Sequence, residues 1–239
     1  TCIIEVSPEV LDKQKREFNI SLALSNAIAR KSFQVYYQPV YNAKNNRFIG
    51  LEALVRLKDS NLGMISPEEF ISLAEKDGSI IAIGEIVLEK VCKFVEQYHP
   101  EDFGIKSVNI NLSTIQCMQE NSIYKLTSIT NDYRIPKGFI NFEITEQTGE
   151  NILNFENIIA ECNKKGINFT LDNYGAGHCS QCNLLNYNYS SVKIDKSRIW
   201  NCELDEKCQI SLKHTVSMLT ELGMTVIAQG VESQAQNDL

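Results

Sequence analysis

From Val108 to the C-terminal end, short runs of β-branched and aromatic residues alternate with longer amphipathic stretches. Val108–Leu112, Phe139–Thr145, Ile167–Asp172, Ser191–Asp195 and Thr225–Gln229 read as strands. A helix running to about Thr130 and the helices Ile152–Lys165 and Glu206–Leu222 fall between them, the last two stopped at Gly166 and Gly223. Such alternation restricts the chain to a mostly parallel sheet with helices packed against it. The N-terminal part adds a helix over Pro8–Lys31, then strands over Phe33–Tyr41 and Phe48–Leu57, joined by a polar turn too short for a parallel crossover. Helices over Pro67–Glu75 and Ile80–Tyr98 follow, the first entered through Ser66 and Pro67. These seven strands fall one short of a closed (β/α)8 barrel. The expected fold is α/β: a TIM-like barrel whose first strand is antiparallel and whose last strand is lacking. Residues 1–32 are expected to form a connector helix and residues 33–239 the barrel domain.

The 239 residues, 43% hydrophobic and 22% charged, suffice for a sizeable core. A net charge of −7 argues against a nucleic-acid polymer as partner. A phosphate ester would have to find positive charge locally, from a metal or a few placed basic side chains. No apolar run is long enough to span a bilayer and no signal peptide is visible, so a cytoplasmic setting without membrane contact is expected. The chain opens on Thr1, which suggests a segment of something longer. Its eight cysteines are expected to be free thiols. Cys179 and Cys182 form a lone CxxC without the second pair that a zinc site needs.

The informative feature is where the polar groups fall. Glu52, Asn111, Glu143, Asp172 and Lys193 lie in or at the end of five different predicted strands. In a β/α barrel those strand ends converge on one rim, where the chemistry sits. Three carboxylates and an amide oxygen form a hard donor set suited to Mg²⁺, Mn²⁺ or Ca²⁺. Singly, each has an ordinary reading. Asn111 can cap the following helix, Asp172 before Asn173 can start a turn, and Glu143 can face away from Phe142 and Ile144. Five such positions together favour a shared site.

The sequence Glu52-Ala53-Leu54-Val55-Arg56 resembles the signature of the EAL family of cyclic-di-GMP phosphodiesterases. Further motifs follow in the family's order: Tyr37-Gln38-Pro39, Asn111-Leu112-Ser113, Glu143-Ile144-Thr145-Glu146, Leu171-Asp172-Asn173-Tyr174-Gly175, Lys193-Ile194-Asp195 and Ala228-Gln229-Gly230-Val231-Glu232. The resemblance implies that Glu52, Asn111, Glu143 and Asp172 hold a first metal, Mg²⁺ or Mn²⁺, with Ca²⁺ as an inhibitory substitute. It implies that Gln38, Leu54 and Arg56 contact cyclic-di-GMP, with Asp195 and Glu232 also on the substrate side. Lys193 would orient the attacking water, and Glu146 would brace the loop from Asn173 to about Cys182. By the same resemblance, attached GGDEF, PAS or receiver modules and a homodimer are expected.

Two positions depart from the pattern. Active family members carry Asp-Asp in the loop and Glu in the closing motif, where this chain has Asn173 and Gln229. Those side chains would hold the second metal, and two-metal hydrolysis needs both cations to clamp the in-line displacement. An amide oxygen can ligate, but without the charge. If each exchange weakens the metal by about 2 kcal/mol, the pair weakens it roughly a thousandfold. The loop departs too, reading Ala176-Gly177-His178-Cys179-Ser180 where the family favours Thr-Gly-Tyr-Ser-Ser; His178 is expected to be an exposed loop side chain. The expectation is a domain that binds cyclic-di-GMP and one metal without efficient cleavage. An active phosphodiesterase producing pGpG and a scaffold that has left the nucleotide behind are the alternatives.

Overall fold

A computed structural model describes residues 7–119, 122–145, 155–176, 184–185, 187–203 and 205–238. Helix α1 (Pro8–Arg30) starts with Pro8 in its first turn and ends on Lys31 in the left-handed region. Ile20, Ala23, Leu24 and Ala27 recur at helical spacing and form its buried stripe. Arg16 binds Glu69 through two bonds of 2.5 and 2.9 Å, and Lys31 reaches Glu89 at 2.7 Å, fastening the helix to two later helices.

Strands β1 (Gln34–Asn42) and β2 (Arg47–Asp59) pair antiparallel, with Gln38 opposite Glu52. At the far end of β2, Asp59 Oδ1 accepts the backbone N–H groups of Asn61 and Leu62 at 2.8 and 3.1 Å. Gly63 then supplies a φ of 70°, and the chain turns back as the short strand β3 (Gly63–Ile65). An Asx turn followed by a left-handed glycine is the local chemistry that closes such a hairpin.

Helices α2 (Pro67–Asp77) and α3 (Ile80–Tyr98) come next, α3 burying eight apolar residues from Ile80 to Val95. A 3₁₀ turn at Pro100–Phe103 leads into β4 (Ser107–Asn111). The remaining elements are α4 (Thr114–Met118), α5 (Ser122–Asn131), β5 (Ile140–Thr145), α6 (Phe155–Lys164), β6 (Asn168–Tyr174), β7 (Ser191–Ile194), α7 (Lys196–Cys202), α8 (Glu206–Glu221), β8 (Thr225–Ala228) and α9 (Gln234–Asp238). The start expected for the helix at Ile152 lies outside the described residues.

The strand order is β1-β2-β4-β5-β6-β7-β8, with β3 attached to β2; every pairing from β2/β4 onward along this path is parallel. This is a curled sheet of TIM-like design without full closure, as the strand count predicts. The expected single helix after β4 is two, and β3, α7 and α9 add short elements with too few residues for a readable period. The core joins the helices to the sheet through Phe33, Phe70, Leu88, Phe142 and Phe169, all nearly solvent-free. Cys92, Cys117, Cys162, Cys202 and Cys208 are free thiols. Burial pushes Cys92 and Cys117 up to about 12 and Cys162 up to about 11, which keeps them as unreactive apolar filler. Cys179, Cys182 and His178 lie outside the described residues. Among the described residues no helix is long and apolar enough to cross a membrane.

Candidate metal and nucleotide site

Alternation fixes which strand residues face the barrel interior, and the parallel register puts their ends at one rim. Glu143 ends opposite Asn111, and Asp172 opposite Thr145. At the centre of this rim is Lys193, only 2% exposed. Its ammonium donates to Glu52 Oε2 at 2.6 Å and Glu143 Oε2 at 3.0 Å, and lies 3.8 Å from Asp172 Oδ1. Asn111 Nδ2 donates to Glu52 Oε1 at 3.2 Å. Gln229, the residue after β8, donates its amide to Asp172 Oδ1 at 3.0 Å. Strands β2, β4, β5, β6 and β7, with the end of β8, therefore contribute to one connected polar cluster.

Three carboxylates around one ammonium leave an excess of negative charge, with the Lys193 and Glu143 side chains almost free of solvent although Asn111 is exposed. Burial pushes Glu143 up to about 7 against the pull of Lys193, with Glu52 and Asp172 adding repulsion. Burial also raises Asp172, although Lys193, the Asn173 backbone N–H and Gln229 hold it down. Burial works to lower Lys193, but Glu143, Glu52 and Asp172 outweigh it and raise it above the ordinary lysine value. The lysine is thus fully charged, and the cluster remains short of positive charge. A divalent cation would supply what is missing. The all-oxygen donors Glu52, Asn111, Glu143 and Asp172 fit a hard ion. Among the described residues no three acidic, His or Cys side chains form a ready cage, and the Lys193 ammonium pairs with the three carboxylates.

The loop after Asp172 has its own geometry. The β6–β7 register shifts between Leu171 and Tyr174, and Asn173 at this bulge has a φ of 57°. Asparagine and aspartate tolerate that left-handed region better than other side chains. Gly175 follows at φ 87°, and a Cβ there would meet Arg198 Cδ at 2.7 Å. On the other side of the same helix, α7, Trp200 Nε1 donates to Gly230 O at 2.8 Å. Helix α7 thereby braces both the Asn173 turn and the segment carrying Gln229.

Of the residues expected on the nucleotide side, Leu54 and Arg56 share β2 with Glu52, Gln38 lies opposite Glu52 on β1, and Asp195 and Glu232 follow β7 and β8. Gln38 is exposed on β1, and Leu54 is half-buried on β2. Arg56 donates to the Val55 carbonyl at 2.9 Å and sits over the Tyr36 ring at 5.6 Å. Asp195 caps α7, accepting from Ser197 N at 2.9 Å and Ser197 Oγ at 2.5 Å. Glu232 is exposed, and its backbone N–H donates to Gln236 Oε1 at 2.6 Å. Glu146 lies outside the described residues. Two buried side chains in the barrel interior escaped the sequence reading: Asn109, which donates to Glu143 Oε1 at 2.8 Å, and Asn141, which donates to Asn109 Oδ1 at 3.2 Å. The signal was present, since each precedes a rim residue by two positions and shares its face.

The profile of the family described as "EAL domain" matches residues 21–239. The chain is 31% identical over 229 residues to the signaling protein YkoW of Bacillus subtilis (strain 168), covering 95% of this chain and 28% of that protein. It is 28% identical over 216 residues to the bifunctional diguanylate cyclase/cyclic di-GMP phosphodiesterase MucR of Pseudomonas aeruginosa, covering 90% of this chain and 32% of MucR. It therefore spans about a third or less of these relatives. Among solved structures, the MucR phosphodiesterase in complex with c-di-GMP superposes with a TM-score of 0.84 at 27% identity, covering 92% of this chain and 90% of that one.

Proposed function

Because this chain belongs to the EAL domain family, we propose that it binds cyclic-di-GMP and one divalent cation at the barrel rim, with little or no hydrolysis. Its role is then that of a receptor within a larger cytoplasmic signalling protein, relaying occupancy to an attached GGDEF, PAS or receiver module. The observation that carries the reading is the bond from Gln229 to Asp172. An amide donating to that carboxylate takes up an oxygen lone pair that a second cation would need, and brings no charge of its own.

Glu52, Asn111, Glu143 and Asp172 would hold the single ion, Mg²⁺ or Mn²⁺, with Ca²⁺ as an inhibitory substitute. That ion supplies charge neutralisation for a phosphodiester group. Lys193 holds the carboxylates in place around it and keeps its proton. Arg56, positioned by Tyr36, supplies a second cation for phosphate recognition. Gln38 and Leu54 would flank the dinucleotide, with Asp195 and Glu232 at the margin of the same rim.

A second reading, an active phosphodiesterase yielding pGpG, is favoured by the gathering of Glu52, Glu143, Asp172 and Lys193 in one cluster. Two measurements separate the readings: calorimetric titration with cyclic-di-GMP in Mg²⁺ or Ca²⁺, and a hydrolysis assay. The receptor reading expects binding without turnover, and turnover restored only by Asn173→Asp together with Gln229→Glu. Ready hydrolysis by the unaltered chain refutes it. Failure to bind at high micromolar nucleotide would leave the scaffold reading.

A further inference from the structure

The barrel interior is polar two layers deep. Asn111, Glu143, Asp172 and Lys193 make the rim; two residues earlier on the same strands stand Asn109, Asn141, Thr170 and Ser191, all buried. Barrel interiors are ordinarily filled at such positions by branched apolar side chains. Thr170 and Ser191 satisfy each other through a hydroxyl pair at 2.6 Å. The two amides do not. Asn141 Nδ2 donates to Asn109 Oδ1 at 3.2 Å, Asn109 Nδ2 donates to Glu143 Oε1 at 2.8 Å, and among the described residues Asn141 Oδ1 is left buried without a partner.

The donor chain runs one way, toward the carboxylate, and electrostatics explains why. Turning the Asn109 amide over would set its carbonyl oxygen against Glu143 Oε1 and its NH₂ against the NH₂ of Asn141. The arrangement therefore sacrifices one amide acceptor at the bottom to keep a donor on Glu143 at the top. That carboxylate side chain is 0% exposed, so no solvent can replace the bond.

We infer that Asn109 is a positioning residue for Glu143, fixing Oε1 so that the carboxylate meets a divalent cation in one orientation, with Asn141 aligning Asn109 in turn. The inference rests on the reading of Glu143 as a cation ligand. Outer hydrogen-bond partners of metal-binding groups typically change metal affinity by about 10- to 100-fold when removed, and Asn109 is expected to fall in that range.

The test is Mg²⁺ titration calorimetry on the native chain, Asn109→Leu, Asn141→Leu, Glu143→Gln and the double variant Asn109→Leu/Glu143→Gln. Asn109→Leu keeps the shape and removes the donor; it is expected to weaken Mg²⁺ binding by about 10-fold or more. Asn141→Leu exchanges one unpaired buried acceptor, its own Oδ1, for another, Asn109 Oδ1, so it should fold about as well as the native chain, and it should weaken Mg²⁺ binding less than Asn109→Leu does, as a partner once removed. In the Glu143→Gln background, whose amide oxygen can still accept from Asn109 but carries no charge, Asn109→Leu is expected to have a smaller effect than in the native chain, since coupled residues are not additive. Native-like affinity in Asn109→Leu overturns the inference. So does an equal loss in both backgrounds, which marks a merely structural role. If Asn109→Leu does not fold, unchanged Mg²⁺ affinity in Asn141→Leu decides against it. Absence of Mg²⁺ binding by the native chain overturns the cation reading itself, and this inference with it.

Discussion

Gln229 ties the end of the last strand to Asp172 on β6 with a bond of 3.0 Å, an attachment that an ionised glutamate could not make without a cation between the two carboxylates. Gln229→Glu is therefore expected to destabilise the chelated protein by about 1–3 kcal/mol, the usual penalty for leaving a buried polar partner unsatisfied. Mg²⁺ should recover more stability in the variant than in the native chain. Thermal unfolding in EDTA and in Mg²⁺ checks both; a variant equally stable in EDTA would contradict the importance of the bond.

The pH dependence of the chelated protein follows from Glu143. Its folded value lies near 7, above the ordinary 4.5. Between those values the native state holds a proton that the unfolded state releases, so stability falls as pH rises from about 4.5 through about 7. Asp172, also raised, acts in the same direction. Lys193 stays charged throughout this window, and Glu89, lowered to about 2 chiefly by its bond with Lys31, titrates below it. The unfolding temperature in EDTA should drop between pH 5 and 8, and Mg²⁺ should reverse the drop at pH 8. An unfolding temperature that climbs across that range in EDTA would argue against a buried, charge-starved Glu143.

Lys193→Met removes the ammonium shared by Glu52, Glu143 and Asp172. Breaking a buried ion pair from one side typically costs about 3–5 kcal/mol. The chelated variant should unfold correspondingly earlier in urea, and saturating Mg²⁺ should return part of the loss. Stability equal to the native chain in EDTA would mean that the carboxylates had found another partner.

Gly230 sits at φ 69°, and a Cβ there would meet Lys196 Cβ at 2.6 Å. Gly230→Ala should destabilise by roughly 1–2 kcal/mol from the left-handed conformation alone, with the contact adding to it. Trp200→Phe keeps the ring but drops the indole bond to Gly230 O, a loss of about 1 kcal/mol. Because both changes release the segment carrying Gln229, cyclic-di-GMP affinity measured by calorimetry should fall with stability. Unchanged affinity in both variants would detach this brace from the nucleotide site.

The strand ends were legible because a period of two forces residues on one strand to share a face, so polar groups at successive strand ends declared a common rim. That same rule also contained Asn109 and Asn141. They went unread because a strand interior of alternating asparagines and apolar residues looks like one solvated face, and only the curling of the sheet turns that face inward. Strand β3 stayed hidden for a different reason: Gly63–Ile65 is too short for alternation, and its signal lies in the Asp59 turn and the glycine before it. The α4–α5 break was blurred because Ser113 and Gln116 form a capping box at the start of α4, a signal that marks where a helix begins but not where it stops.

The left-handed backbone at Asn173 bears on how far this site stands from the Asp and Glu pattern of its family. An aspartate fits that φ as readily as an asparagine does, and a glutamate fills the volume of the Gln229 side chain. Each exchange replaces an NH₂ group with an oxygen on an otherwise unaltered scaffold. On the proposed reading, binding without cleavage and turnover would differ at these two positions by an exchange of isosteric groups that leaves the Asn173 turn in place.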